Sequence, residues 1–347
     1  MKILHLLKSN KYSGAENVVL TIMDVCSDMD VIYASPSGPI REVVESRGHK
    51  FYPLNAPSIR EVKKAVSELQ PDIIHAHDFT MASTAAWAAG NIPVVAHLHN
   101  NPPWLKKICP KSVVFAFALP RIQQVISVSK AVEEEYIFRG LMKNKNTVIG
   151  NVVDTKSVQQ KARESCDCKP VDMVFLGRMT PQKSPILFCQ IVESVKKSLP
   201  ETTARMIGDG ELMPQIKEYI HNHKLDDTIE LVGFQSNPYP YLNAGKIMVM
   251  PSAWEGFGLV AIEAMCLGKP VICSGVGGLA DIVDSCCGAK CKEKYTYVNE
   301  IVSILNSEMK YEMKAKAACK EAQKYCDLQA YKNAVVKVYR NTITEKI

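Results

Sequence analysis

Long apolar runs, low-complexity tracts and a strong charge of one sign are all missing from this sequence, and each absence removes a class. No apolar run reaches the roughly 18 to 20 residues that a membrane-spanning helix needs. Without short repeats or biased tracts, the solenoid, collagenous and coiled-coil classes fall away. The opening MKILHLLKSNKYSG has no A-x-A-like cleavage site, so it reads as a first buried strand and not as a signal peptide. The net charge is only +6, and no stacking motif or basic helix accompanies it, so no nucleic-acid partner is expected. The twelve cysteines lack the paired C-x2-C spacing of a structural zinc site. Free thiols in a reducing cytoplasm are expected, with Cys189, Cys266 and Cys273 buried.

What is present is a packed α/β protein. Hydrophobic residues make up 47% and charged residues 22%, proportions of a globular chain, and 347 residues suit two domains. The charge is uneven. Residues 1–165 hold 20 Lys and Arg against 15 Asp and Glu, or +5, and the remainder is nearly neutral. An anionic lipid surface or anionic substrate fits such a first half.

Short runs rich in Ile, Val and aromatics alternate with amphipathic stretches. KILHLL, DVIYAS, KFYPL, DIIHAH, PVVAHLH and QVISVS predict strands in the first half. VDMVFLG, ARMIG, TIELVGF, KIMVMPS and PVICS do so in the second. This alternation predicts parallel sheets covered by helices on both faces. Residues 155–170 are polar and strand-free, which places a linker there. The expected division is 1–165, 166–327 and a last helix over 328–347. Ligands of open α/β sheets bind beyond the carboxyl ends of the strands.

The richest stretch runs from Pro251 to Pro270, PSAWEGFGLVAIEAMCLGKP. Gly256 and Gly258 allow a tight turn and close approach of the backbone to a ligand. The helix that follows offers N–H groups and a positive dipole end to a diphosphate. Glu263 lies in that helix among apolar residues on all sides, so it should be buried, and a buried carboxylate needs donors. Sugar hydroxyls or an internal ion pair would both serve. Arg178 and Lys183, in FLGRMTPQKSP, combine a fork of N–H donors with a point charge, a good diphosphate clamp or simply a basic turn.

Glu255 and Glu263, separated by seven intervening residues in EGFGLVAIEA, resemble the E-x7-E motif of retaining GT-B glycosyltransferases, and the chain is similar to glycosyltransferase family 4. FLGRMTPQKSP, MIGDGEL, GVGGLADIV, SGAENVVL, DIIHAHD, PVVAHLHN, VISVSK and VIGNVVD fall in the family's order, so the resemblance covers nearly the whole chain. It implies two Rossmann-like domains facing across a cleft, with the C-terminal helix crossing back to the first. It implies a retaining, hexosyltransferase-type enzyme that takes a nucleotide-sugar, UDP-sugar by default, and acts on a glycan or lipid-linked glycan. The setting would be cell-surface polysaccharide or glycolipid synthesis, in the cytoplasm or peripheral to its membrane.

By the same resemblance, Arg178 and Lys183 neutralise the donor diphosphate, Glu263 binds the ribose and Glu255 the donor sugar. The amides of Phe257, Gly258 and Leu259 meet the distal phosphate or the sugar, Gly208 and Gly210 pass close to the nucleoside, and Gly233 lines the base. Gly14 approaches the donor phosphate or the acceptor, and His99 faces the reacting sugar, with His97 on the same strand face as the alternative. Asp281 stands where the family has Glu.

No metal or other cofactor is expected. The H-x-H pairs His75/His77 and His97/His99 have zinc-like spacing but only Asp78 as a nearby carboxylate, and the single D-x-D, Asp28-Met29-Asp30, reads as a turn. Residues Asn100 to Gln124 mix Trp104, Phe115 and Phe117 with Lys106, Lys107, Lys111 and Arg121, which suits either a membrane surface or an ordinary helix with a solvated basic face. Two other classes share the architecture: a UDP-N-acetylglucosamine 2-epimerase-like isomerase and an inactive nucleotide-sugar-binding subunit.

Overall fold

The computed structural model describes residues 1–344. The chain forms two compact units, Met1–Val152 with Leu328–Ile347, and Val153–Asp327. The final three residues of the expected last helix lie outside the described residues.

The first unit contains β1 (Lys2–Leu6), β2 (Asp30–Pro36), β3 (Lys50–Leu54), β4 (Ile73–His77), β5 (Val94–Leu98), β6 (Gln124–Ser127) and β7 (Asn146–Val148). They form one sheet in the order β3-β2-β1-β4-β5-β6-β7, and every pairing is parallel. The chain reverses direction across the sheet between β1 and β4, a topological switch point. β4 and β5 are buried at every position, as strands covered on both faces must be. Helix Leu328–Thr344 packs on this unit, against β4, β5 and helix Gly14–Val25. Its buried residues are Tyr331, Val335, Val338, Tyr339 and Thr342.

The second unit contains β8 (Val171–Leu176), β9 (Ala204–Ile207), β10 (Ile229–Gly233), β11 (Gly245–Met250), β12 (Val271–Cys273) and β13 (Gly288–Lys290). Their order is β10-β9-β8-β11-β12-β13, again all parallel, with the switch point between β8 and β11. Phe175, Phe188, Met206, Ile216, Val249 and Ile301 belong to its apolar core.

Two expectations need correction. The first unit ends at Val152, not at residue 165. The stretch expected as a linker forms helix Thr155–Lys161, whose first turn is capped by Asp154 Oδ1 accepting from Ser157 N at 3.1 Å. That helix packs on helix Leu259–Cys266 and so belongs to the second unit. The thiols are also not all free, because Cys166 and Cys168 form a disulfide. Their Cα atoms lie 5.4 Å apart, within the span a disulfide bridges. Cys189, Cys266 and Cys273 are free and buried as expected. No helix among the described residues is long and apolar enough to cross a membrane.

Candidate active site

The loops after β8 and β11 flank the switch point of the second sheet, and a network of side chains joins them. Gln182 is buried. Its Oε1 accepts from Arg178 Nη2 at 3.1 Å, its Nε2 donates to the Trp254 carbonyl at 3.3 Å, and its own carbonyl accepts from Ala253 N at 2.8 Å. Beside it, Lys183 Nζ forms an ion pair with Glu255, both side chains being largely shielded from solvent. Arg178 remains exposed. The Arg178–Lys183 loop is thereby fixed against the Trp254–Glu255 loop. The Thr180 hydroxyl and the Trp254 indole N–H are buried without a protein partner. Both are groups that native interiors seldom leave unpaired.

Helix Leu259–Cys266 starts at Gly258, whose φ of 108° is left-handed backbone that suits glycine. A Cβ there would also come within 2.7 Å of Leu279 Cδ2. Glu263 is buried in this helix, and Tyr239 donates its hydroxyl to Glu263 Oε1 at 3.1 Å. Burial pushes the Glu263 carboxyl above the ordinary range, while the Tyr239 hydrogen bond and the Lys161 and Lys183 charges pull the other way. Arg178 is thus tied to the Lys183 loop through Gln182, Lys183 pairs with Glu255, and the Lys183 charge reaches Glu263.

The glycines give a more local account of themselves. Gly208 has φ 128°, and a Cβ on it would sit 2.0 Å from the Gly177 carbonyl oxygen. A Cβ on Gly210 would sit 2.5 Å from the Met179 carbonyl oxygen. These glycines are needed because the loop after β9 is sewn onto the loop after β8: Gly177 N donates to Ile207 O at 3.0 Å, and Met179 N to Asp209 O at 2.9 Å. Gly233 has a positive φ with open space around it. Gly278 is held against the backbone of Phe257 in the same way as Gly208 against Gly177, and Asp281 is exposed in the short helix that follows.

In the first unit, Gly14 opens helix Gly14–Val25, and Ser13 donates its hydroxyl to the buried Glu16 carboxylate. A pocket of about 270 Å³ adjoins it, lined by Leu7, Lys8, Ser9, Glu16, His77 and Asp78. Next to that pocket, at the β1/β4 switch point, five imidazoles gather. His5 pairs in register with His75, and His77 with His97, so the rings share one sheet face. His5 Nδ1 lies 3.0 Å from His77 Nε2, His77 Nδ1 lies 2.9 Å from His99 Nε2, and His75 Nδ1 lies 2.7 Å from the Tyr339 hydroxyl. His97 is fully enclosed; His99 is half-buried as a residue, but its Nδ1 is shut off from solvent as the His97 nitrogens are. Burial holds all five well below the ordinary histidine value of 6.5, to about 3 for His5 and His99.

Asp28 and Asp30 do not converge on a common point. Asp28 pairs with Lys332 at 2.7 Å and Asp30 with Lys50 at 2.7 Å. Within Asn100 to Gln124, helix Pro110–Ala118 buries Phe115 but leaves Val114 and Phe117 exposed, as is Ile108 just before it. Lys107 and Lys111 stand exposed on the same segment. Lys106 reaches Glu135 at 3.2 Å, and the Arg121 guanidinium lies 3.8 Å over the Trp87 ring.

Sequence reasoning missed Gln182 as the brace of the site, Tyr239 as the partner of Glu263, and Trp254 and Thr180 as its unpaired donors. It also missed His5 and Tyr339, which only the fold brings to the histidines. Adjacency to Lys183 and Glu255 was the available signal for Gln182 and Trp254; nothing local marks Tyr239 or Tyr339.

The sequence profile of glycosyl transferases group 1 matches residues 148–324, and that of Glycosyltransferase Family 4 matches residues 12–157. An uncharacterised glycosyltransferase of Methanocaldococcus jannaschii is 25% identical over 235 residues, 61% of this chain and 57% of that protein. The chain therefore spans little more than half of that relative's length. The UDP-Gal:alpha-D-GlcNAc-diphosphoundecaprenol alpha-1,3-galactosyltransferase of Escherichia coli is 25% identical over 313 residues, 80% of each chain. Among solved structures, Anabaena HepE in complex with UDP and glucose superposes with a TM-score of 0.86 at 21% identity, covering 98% of this chain and 99% of that one. Two parallel Rossmann-like sheets with a returning C-terminal helix are the GT-B architecture, and with profiles that match both units the chain belongs to the group 1, family 4 glycosyltransferases.

Proposed function

We propose that this chain transfers a sugar, with retention of anomeric configuration, from a nucleotide-sugar to a glycan or lipid-linked glycan hydroxyl. The observation that carries the reading is the convergence of Arg178, Lys183, Glu255 and Glu263 at the β8/β11 switch point. Arg178 and Lys183 neutralise the leaving diphosphate together with the start of helix Leu259–Cys266. Glu263 accepts from ribose hydroxyls, and Glu255, released from Lys183 as the anion arrives, accepts from the donor sugar. The bond from the anomeric carbon to the diphosphate oxygen breaks, and the acceptor oxygen bonds to that carbon on the same face. The acceptor proton leaves toward the diphosphate.

With two cations and a helix start at the diphosphate, and with Asp28 and Asp30 each engaged by a lysine, donor activation needs no metal. A UDP-sugar is favoured because the Anabaena structure holds UDP and the Escherichia coli relative is named for UDP-Gal. The exposed Ile108, Val114 and Phe117 with Lys107 and Lys111 rest on an anionic membrane face that presents the acceptor.

A thermal-shift panel of UDP-, GDP- and ADP-sugars tests this reading directly. One base family should raise Tm, and the same sugar should be hydrolysed slowly or transferred. Epimer formation from UDP-N-acetylglucosamine would point instead to the isomerase, and a donor that binds without turnover to an inactive subunit.

A further inference from the structure

The Cys166–Cys168 disulfide has no part in the proposed transfer, and it is a poor staple for the fold. A cross-link stabilises mainly by restricting the unfolded chain, and least when it closes a short loop. This one joins cysteines only two positions apart. Nor is it sealed in a core. Both cysteines are half-buried, in a stretch whose other residues from Arg163 to Pro170 are exposed. Bridges that a thiol can reach are the ones that exchange.

The bridge lies between two elements that reach Glu263. On its N-terminal side, helix Thr155–Lys161 packs on helix Leu259–Cys266 and on helix Tyr239–Asn243. Gln159 Nε2 donates to the Cys266 carbonyl at 3.3 Å, and the Lys161 charge acts on Glu263. Asn237 links that side to Tyr239. Its Nδ2 donates to the Lys161 carbonyl at 3.0 Å and to Glu164 Oε2 at 2.8 Å, while its Oδ1 accepts from Tyr239 N at 3.2 Å. Tyr239 in turn donates its hydroxyl to Glu263. On the C-terminal side, Cys168 Sγ lies 3.9 Å from the Pro240 carbonyl oxygen. The next carbonyl, of Lys169, accepts from the buried Arg205 Nη2 at 2.7 Å. The disulfide thus shortens the loop that runs from Lys161 past the segment carrying Tyr239.

We propose that Cys166 and Cys168 form a reversible thiol–disulfide site that tunes donor binding: closed, it holds Lys161 and Tyr239 around Glu263, and opened, it loosens both. The reductant is a dithiol. One of its thiolates attacks a sulfur of the bridge, a mixed disulfide forms, the Cys166–Cys168 bond breaks, and the released sulfur takes a proton. The second thiolate of the reductant displaces the remaining protein sulfur, which also takes a proton. The protein gains two electrons and two protons, and the dithiol becomes a disulfide. The effect on donor binding rests on the role proposed for Glu263; the loosening of the loop does not.

The test equilibrates the full chain in reduced or oxidised dithiothreitol, then alkylates, digests and weighs the peptides to locate the bridge. The same samples are compared by amide hydrogen exchange and by titration with UDP. The Cys166–Cys168 bridge should open and reclose while the other ten cysteines stay reduced. Opening should speed exchange across Thr155–Lys161 and Tyr239–Asn243, leave the first unit unchanged, and raise the Kd for UDP about 5-fold or more. The double variant Cys166→Ser with Cys168→Ser should give the open values in both buffers. A chain that forms no such bridge, or exchange that is the same with the bridge open and closed, would overturn the proposal. UDP bound equally in both states would also overturn it, while leaving the donor site standing. Exchange that responds in a chain binding no nucleotide would instead support the loop switch and refute the donor reading.

Discussion

Lys183 and Glu255 show how much one contact decides at the scale of the residue. The pair is shielded, so removing the cation leaves a carboxylate without its partner and, under the proposed function, takes a charge from the diphosphate. Lys183→Ala should lower transfer by about 100-fold or more while the fold persists, checked by initial rates and circular dichroism. Glu263 is different, because burial already opposes its charge. Its carboxyl holds a proton to higher pH in the fold than in the unfolded chain, so ionising it lowers stability as pH rises through the folded value. Glu263→Gln should therefore raise Tm at pH 8 and, lacking a full acceptor for ribose hydroxyls, weaken donor binding. A Tm that falls at pH 8 would show that Tyr239 stabilises the carboxylate more than burial penalises it. Gly208→Ala meets both a left-handed φ and the Gly177 carbonyl, and should cost about 2 to 4 kcal/mol, read from denaturant midpoints.

Elements were legible where their residues repeat a simple pattern. β4 and β5 are runs of Ile, Val, Ala and Leu interrupted only by histidine and could be read directly. β7 and β13 are three-residue strands at the sheet edges, half exposed and without an apolar run, so pairing alone makes them strands. Helix Thr155–Lys161 looks like linker because it buries Val158 and little else. Arg178 and Lys183 share one loop, so their spacing reports proximity, whereas Lys183 and Glu255 are 72 residues apart and only the fold pairs them. His75 and Tyr339 are 264 residues apart, and no local pattern encodes their meeting. Helix Pro110–Ala118 supplies a test at this scale. Replacing Ile108 and Phe117, both more than two-thirds exposed, with Ser should leave Tm within a degree or two and reduce co-sedimentation with anionic vesicles. Equal sedimentation of variant and wild type would refute the membrane contact.

The whole molecule should be acid-labile, and the histidines say where. Unfolded, they take up protons near pH 6.5; folded, they resist until the pH is far lower. The unfolded state thus binds more protons as pH falls, and stability present above pH 6.5 is lost on the way down. Four fully buried rings set a limiting slope of about 5 kcal/mol per pH unit. A typical domain has only about 5 to 15 kcal/mol to lose. Denaturation midpoints should therefore collapse between about pH 6 and pH 4, and a flat profile over that range would contradict the burial of the cluster.

The path of the chain adds a matter of timing. Because Leu328–Thr344 completes the first unit, everything in Val153–Asp327 must be synthesised before Tyr339 can reach His75. At about 5 to 20 residues per second the ribosome needs on the order of ten seconds or more for that stretch. During that interval the nascent first unit lacks the helix that covers β4 and β5, while the contiguous second unit can already close. The part made first is finished last, and it is the part that a chaperone would have most reason to hold.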